Sequence, residues 1–191
     1  MNNTILVIMA GGKSSRMQKD KALLPFRGYN SLAEYQYKRF KPFFSKVYIS
    51  AKDNKFDFAV DIIYDSYKES SPLVSLVSIF ETLKDVNEVV ILTVDAPFID
   101  KELFNTLLYR AKNRSSVVVA ESPNGIEPLC AIYRRAVLPV AQEMLSNNRH
   151  RLQTLLDRVK TQKVFFSEKD LFMNLNYPSD YELAKRLSSN I

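Results

Sequence analysis

Ile5 to Met9 is an unbroken apolar run that stops at Ala10-Gly11-Gly12. This is the pattern of a short strand buried on both faces and ended by a loop. After a polar stretch, Ser31-Leu32-Ala33-Glu34 carries the capping-box spacing and predicts a helix from there to about Pro42. Lys46 to Ala51 and Asp61 to Tyr64 read as a second and a third strand. Pro72 then opens a helix in which Leu73, Leu76, Val77, Phe80 and Leu83 recur at helical spacing, a core stripe rather than a cofactor box. Val89 to Val94 is a fourth, strongly apolar strand, and Asp100 is placed to cap a helix through about Lys112. Ser116 to Ala120 resumes the extended pattern. The remainder is less regular. It holds a strand at Leu129 to Tyr133, helices at Ala136 to Leu145 and Arg151 to Val159, and a strand at Lys163 to Phe166. A second capping box, Ser179-Asp180-Tyr181-Glu182, opens the terminal helix.

Strands alternating with helical segments of about 10–15 residues are the signature of βαβ units. The expectation is an α/β fold with a mostly parallel sheet, helices on both faces, and ligands at the carboxyl ends of the strands. No repeat, low-complexity tract or Pro/Gly/Ser-rich linker divides the chain, so residues 1–191 read as one domain. A composition of 46% hydrophobic and 25% charged residues supports one sizeable core and excludes a disordered segment. The single cysteine, Cys130, and the single histidine, His150, exclude an internal disulfide and multi-cysteine or two-histidine metal sites. Cys130 lies in an apolar segment and predicts packed core, whereas His150 lies in a polar stretch and predicts a solvated helix start. No apolar run approaches the ~20 residues that span a bilayer, and Met1-Asn2-Asn3 carries no basic leader. A cytoplasmic protein without a membrane partner is expected.

The formal charge of +6, from 27 Lys+Arg against 21 Asp+Glu, favours anionic ligands. Nucleic acid is one such ligand, but the basic residues are spread out and their densest groups, Lys13 to Lys21 and Arg149 to Arg158, form no long stripe. The aromatic residues form no stacking platform either. A small phosphorylated ligand fits the charge equally well. The chain has four glycines, two of them adjacent at Gly11-Gly12, on a loop leaving the first strand with Lys13, Arg16 and Lys21 close by. Such a loop can hold a polyphosphate through backbone N–H donors and fixed positive charge. It is not a Walker A loop, because Val7 stands where that motif needs its first glycine, and no G-x-G-x-x-G occurs. The same residues also fit a tight βα turn with surface lysines. Asp95-Ala96-Pro97-Phe98 directly follows the fourth strand. A carboxylate there can offer oxygens to Mg²⁺ bridging nucleotide phosphates, or simply cap backbone N–H groups.

Met9 to Ala22 resembles the L-A-G-G-x-x-x-R-M-G-x-D-K-A signature of small nucleotidyltransferases, and specifically of the molybdenum cofactor guanylyltransferases, the MobA family. Further segments fall in that family's order. They are Asp65 before Ser71-Pro72-Leu73, Asp95 to Phe98, Pro128 to Tyr133, and Asn174-Leu175-Asn176-Tyr177-Pro178-Ser179-Asp180. The resemblance implies a single Rossmann-like α/β domain that transfers GMP from GTP to the terminal phosphate of molybdopterin, with or without molybdenum, and releases pyrophosphate. It assigns the backbone of Met9, Ala10, Gly11 and Gly12, with Lys21, Ser50 and Asp65, to the nucleotide. Asp95 would serve both the nucleotide and Mg²⁺, Arg16 and Lys21 the phosphates, and Asn174, Asn176 and Arg151 the acceptor. A carrier protein of the cofactor pathway is an expected partner. The chain departs from the family at Met9 (usually Leu), at Gln18, Ser71 and Ser75 (usually Gly), and at Ser50, where the family has an Asn. Ser50 has a shorter reach than Asn, so a cytidylyltransferase acting on a pterin or sugar phosphate is the alternative. A nucleic-acid-binding module is the third reading.

Overall fold

The computed structural model describes residues 4–11, 19–111 and 115–188. Seven strands form one sheet: β1 (Ile5–Met9), β2 (Lys46–Ala51), β3 (Asp61–Tyr64), β4 (Glu88–Thr93), β5 (Val117–Ser122), β6 (Gly125–Arg134) and β7 (Thr161–Phe165). Their order across the sheet is β3-β2-β1-β4-β6-β5-β7. Every pair is parallel except the two made by β6, which runs against both β4 and β5. The expectation of an α/β fold with a mostly parallel sheet therefore holds, with one reversed strand.

Among the described residues six α-helices flank the sheet: α1 (Leu32–Phe40), α2 (Pro72–Thr82), α3 (Lys101–Arg110), α4 (Leu138–Ser146), α5 (Leu152–Arg158) and α6 (Pro178–Ser188). Alternation along β1 decides which packs where. Leu6 and Ile8 face a cluster with Leu32 and Phe40 of α1, Phe104 and Leu107 of α3, and Ala184 of α6. Val7 and Met9 face Leu76 and Phe80 of α2, Met144 of α4 and Leu155 of α5. Both faces of the sheet are thus covered, which is why β1 and β4 read as continuous apolar runs rather than alternating ones.

Local chemistry sets the helix starts. The hydroxyls of Ser31 and Ser71 accept from the backbone N–H groups of Glu34 and Val74, and Asp100 accepts from Leu103. The terminal helix begins one residue before the expected Ser179 box. It starts at Pro178, and the Asp180 carboxylate reaches back to the N–H groups of Tyr177 and Asn176 at 2.8 and 3.0 Å. Proline at the first helical position sets φ and lacks the donor that would otherwise be orphaned, which moves the start. The strand expected at Leu129 to Tyr133 is longer, because Gly125 takes φ +123 and turns the chain directly from β5 into β6. No helix occupies the β2–β3 connection. Phe56 and Phe58 cover the core there instead, Phe58 against Tyr37 at 5.5 Å between ring centroids.

Candidate functional site

The chain visits β1, β2 and β3 on one side and then crosses to β4 on the other, so the sheet changes direction beside β1. A crevice opens at such a point beyond the carboxyl ends of the strands. The backbone closes the ladder just short of that edge. The Ala10 N–H donates to the Ser50 carbonyl (2.9 Å), Val94 to Met9 (3.0 Å) and Asp65 to Ala51 (3.2 Å). Ser50 and Met9 are buried, and Gly11 is exposed at the rim.

Three residues distant in sequence meet at this edge. The Lys21 ammonium donates to Asp95 Oδ2 at 2.8 Å and to Asn176 Oδ1 at 2.9 Å. The other Asp95 oxygen accepts from the Thr93 hydroxyl at 2.6 Å, and the Leu175 N–H donates to the Asp95 carbonyl at 2.9 Å. Buried Leu175 therefore seats the 174–176 segment on the end of β4. The loop after β4 is held from beneath by α1. Gln36, fully buried, donates to the Ala96 carbonyl at 2.9 Å, and the Arg39 guanidinium donates to the carbonyls of Pro97 (2.7 Å) and Ile99 (2.5 Å). Burial draws the Arg39 pKa below its usual value, but a guanidinium stays charged at any relevant pH.

Asp65 closes the β1–β3 side of the crevice. One carboxylate oxygen lies 3.4 Å from the Ser50 hydroxyl, while the other, Oδ2, is shielded from water and has no hydrogen-bond partner. That oxygen is 3.6 Å from where a Cβ on Gly11 would stand, with the Ser75 hydroxyl 3.9 Å from the same point. A buried, unpaired acceptor costs about 1–3 kcal/mol and is satisfied when a ligand brings an O–H or N–H to it.

Two clefts share this edge. The smaller, about 110 Å³, is lined by Met9, Gly11, Ser71, Ser75, Thr93 and Leu129. The larger, about 230 Å³, runs past Thr93 and Asp95 to Glu127, Phe172, Asn174 and Asn176. Thr93 and Leu129 line both. Two ligands can therefore lie side by side with Asp95 beside the shared wall. Burial pushes the Glu127 carboxyl above its ordinary value, and the Ser122 hydroxyl, donating at 2.8 Å, partly opposes this.

Oxygens of Asp95 and Asn176 converge on one cationic group, the Lys21 ammonium. A carboxylate and an amide carbonyl are hard oxygen donors of the kind Mg²⁺ accepts, and Mg²⁺ takes its other ligands from water and substrate phosphates. Among the described residues no cluster of three or more His, Cys, Asp or Glu could hold a metal alone. The residues present fit a shared, substrate-completed Mg²⁺ site.

Of the residues singled out from sequence, Met9, Ala10, Gly11, Lys21, Ser50, Asp65, Asp95, Asn174 and Asn176 gather at this edge. Gly12 and Arg16 lie outside the described residues. Arg151 is exposed at the start of α5 and lines neither cleft. Cys130 is buried core, as expected. His150 is half-exposed just before the N-cap of α5, at the helix start the sequence predicts. The left-handed turn at Asn148 (φ 54) sets its ring between Asn148 Oδ1 (3.0 Å) and the Ser71 hydroxyl (3.1 Å). Thr93, Glu127 and Lys55 escaped the sequence reading. Thr93 alone left a signal, a hydroxyl two positions before Asp95 at the end of an apolar strand.

Residues 6–164 match the family model described as the MobA-like NTP transferase domain. The chain is 35% identical over 189 residues to a molybdenum cofactor guanylyltransferase of Campylobacter jejuni, covering 97% of each chain. It is 33% identical over 195 residues to one of Helicobacter pylori, covering 98% of this chain and 94% of that one. Its fold is that of the molybdopterin-guanine dinucleotide biosynthesis protein A of Archaeoglobus fulgidus. The TM-score is 0.86 over 98% of this chain and 100% of the other, at 18% identity. No described helix is long and apolar enough to cross a membrane.

Proposed function

Because the chain belongs to the family of MobA-like NTP transferases, we propose that it moves GMP from GTP to the terminal phosphate of molybdopterin, as a single domain of residues 1–191. The observation that carries this reading is the meeting of Lys21, Asp95 and Asn176 between two adjoining clefts. The smaller cleft, with Gly11 and the unpaired Asp65 oxygen, takes the nucleotide together with Gly12 and Ser50. The larger takes the acceptor, against Asn174 and Asn176.

In this reaction an acceptor phosphate oxygen attacks the α-phosphorus of GTP. A new P–O bond forms, the bond to the β-phosphate bridge breaks, and pyrophosphate leaves with the electron pair. The nucleophile is already an anion at pH 7, so no side chain has to remove a proton, and none in the site is a histidine. What the site must overcome is repulsion between phosphates and the charge gathering on the transferring and leaving groups. Lys21 and Arg16 supply fixed positive charge, and the Gly11 backbone supplies a donor. Asp95 and Asn176 would hold Mg²⁺, which when bound neutralises that charge. Seating two phosphates side by side lowers the entropic part of the barrier.

Thermal melting with GTP, CTP, ATP and UTP, each with and without Mg²⁺, tests the reading. A ligand at about 100 times its Kd adds about 2.7 kcal/mol, which at roughly 2–4 °C per kcal/mol raises Tm by about 5–10 °C. The expected result is a GTP-selective shift that grows with Mg²⁺. A CTP-selective shift would favour the second reading, a cytidylyltransferase, which Ser50 supports: its hydroxyl is buried and directed at Asp65, so it offers the base little reach. No shift with any nucleotide would overturn both. Whether a cofactor-pathway carrier protein hands over the acceptor is checked by co-purification.

A further inference from the structure

Lys55 belongs to no motif and lies in the helix-free connection between β2 and β3, yet its side chain reaches the first loop of the nucleotide end. Its ammonium donates to the Ala10 carbonyl at 3.3 Å and forms an ion pair with Asp20. The Lys55 side chain is 20% exposed, with the Phe56 ring 5.8 Å away. One cation thus joins the residue just before Gly11 to the residue just before Lys21.

Both ends of that clasp feed directly into groups placed at the phosphates. At the first end, a trans peptide points its C=O and the next N–H in opposite directions. The Ala10 carbonyl held by Lys55 therefore turns the Gly11 N–H away from Lys55, while the Ala10 N–H is fixed on Ser50 at 2.9 Å. At the second end, the other Asp20 oxygen accepts from the Ala22 N–H at 3.0 Å and caps the 3-10 turn Lys21–Leu23. That cap sets the base of the Lys21 side chain, whose ammonium lies on Asp95 and Asn176.

The pair also has an electrostatic consequence. Asp20 is a carboxylate adjacent in sequence to a lysine assigned to polyphosphate, and unpaired it would repel that ligand. Lys55 cancels the charge. Stability gives little reason for the arrangement, since partly exposed ion pairs contribute little to it.

We infer that Lys55 is a positioning residue of the nucleotide site, setting the Gly11 N–H and the Lys21 ammonium toward one polyphosphate and masking Asp20 from it. The inference rests on the guanylyl-transfer reading and deepens it. It predicts a penalty that grows with the number of phosphates on the ligand. A residue that merely supported the loop, or touched the base, would affect every guanine nucleotide alike.

The test compares wild type, Lys55→Gln and Lys55→Arg by calorimetric titration with GTP and with GMP in Mg²⁺, alongside the melting temperature of each free protein. Lys55→Gln keeps a donor for the Ala10 carbonyl but loses the charge. It is expected to weaken GTP about tenfold or more and GMP by less than about threefold. Its own melting temperature should be unchanged to within about 2 °C, as befits a partly exposed pair. Lys55→Arg, which can serve both acceptors, is expected to recover most of the GTP affinity. Equal losses for GTP and GMP, or GTP affinity within about threefold of wild type, would overturn the inference. A wild type that binds neither nucleotide would bring down the guanylyl-transfer reading itself, a distinguishable failure.

Discussion

At the scale of single residues, Asp95 combines the most roles. Its carboxylate accepts from Lys21 and Thr93, and its carbonyl anchors Leu175. Asp95→Ala is expected to lower Mg²⁺-dependent turnover 100-fold or more, about 2.7 kcal/mol of transition-state stabilisation, read from initial rates with GTP and molybdopterin. Turnover within a fewfold of wild type would refute its part in the chemistry. Glu127 gives a second outcome, in stability rather than rate. Unfolded, its carboxyl titrates near the ordinary 4.5, but burial makes the folded protein hold that proton to higher pH. Between the two values the native state binds more protons than the unfolded one, so this group lowers stability as pH rises through that window. Glu127→Gln should remove that component, and melting curves from about pH 4 to 8 for both proteins would show the variant gaining relative stability toward the upper end. Superimposable profiles would contradict it. Gly11 and Asp95 could be found from sequence because each sits in a local pattern, a glycine pair or an acid after an apolar strand, and Lys21 because it falls in the D-K-A end of the family signature. Lys55 and Glu127 could not, since only the β2–β3 crossing and the β5–β6 hairpin bring them to the edge.

Among the elements, α1 does more than cover the sheet. Gln36 and Arg39 lie three residues apart on one helical face and hold the carbonyls of the loop after β4. Gln36→Leu leaves the Ala96 carbonyl without its donor in a buried place. The expected cost is about 1–3 kcal/mol, a fall in Tm of roughly 2–12 °C. Because that loop leads directly from Asp95, kcat should fall with stability, and a variant that loses Tm but keeps full kcat would separate the helix from the site. The same elements explain what could be read in advance. The β3 range and the α2 start agree with expectation because Asp61 to Tyr64 and Ser71-Pro72 are bounded by strong local signals. The direction of β6 could not be read, since Cys130 to Tyr133 is equally apolar whichever way it runs. Its early half was hidden by Glu127 and Pro128, a charge and a proline that ordinarily argue against a strand.

For the molecule as a whole, the two ends of the crevice come from different stretches of chain. On the proposed reading the nucleotide end draws on residues 9–11, 20–23, 50, 55, 65 and 71–75 and the acceptor end on 127–128 and 172–176, with Leu129 on the wall between them. Asp95 stands at their join. The reversed strand β6 makes this division possible. Because it runs backward between β4 and β5, its beginning rather than its end reaches the site, and the hairpin turn comes with it. For a chain made from its amino end, that insertion has a cost in time. β1 to β4 can pair as soon as they leave the ribosome, but the outer edge of β4, apolar from Val89 to Leu92, waits for β6 to be synthesised. In that interval a nascent chain displays an open, water-averse ladder, the form of surface that recruits neighbouring chains.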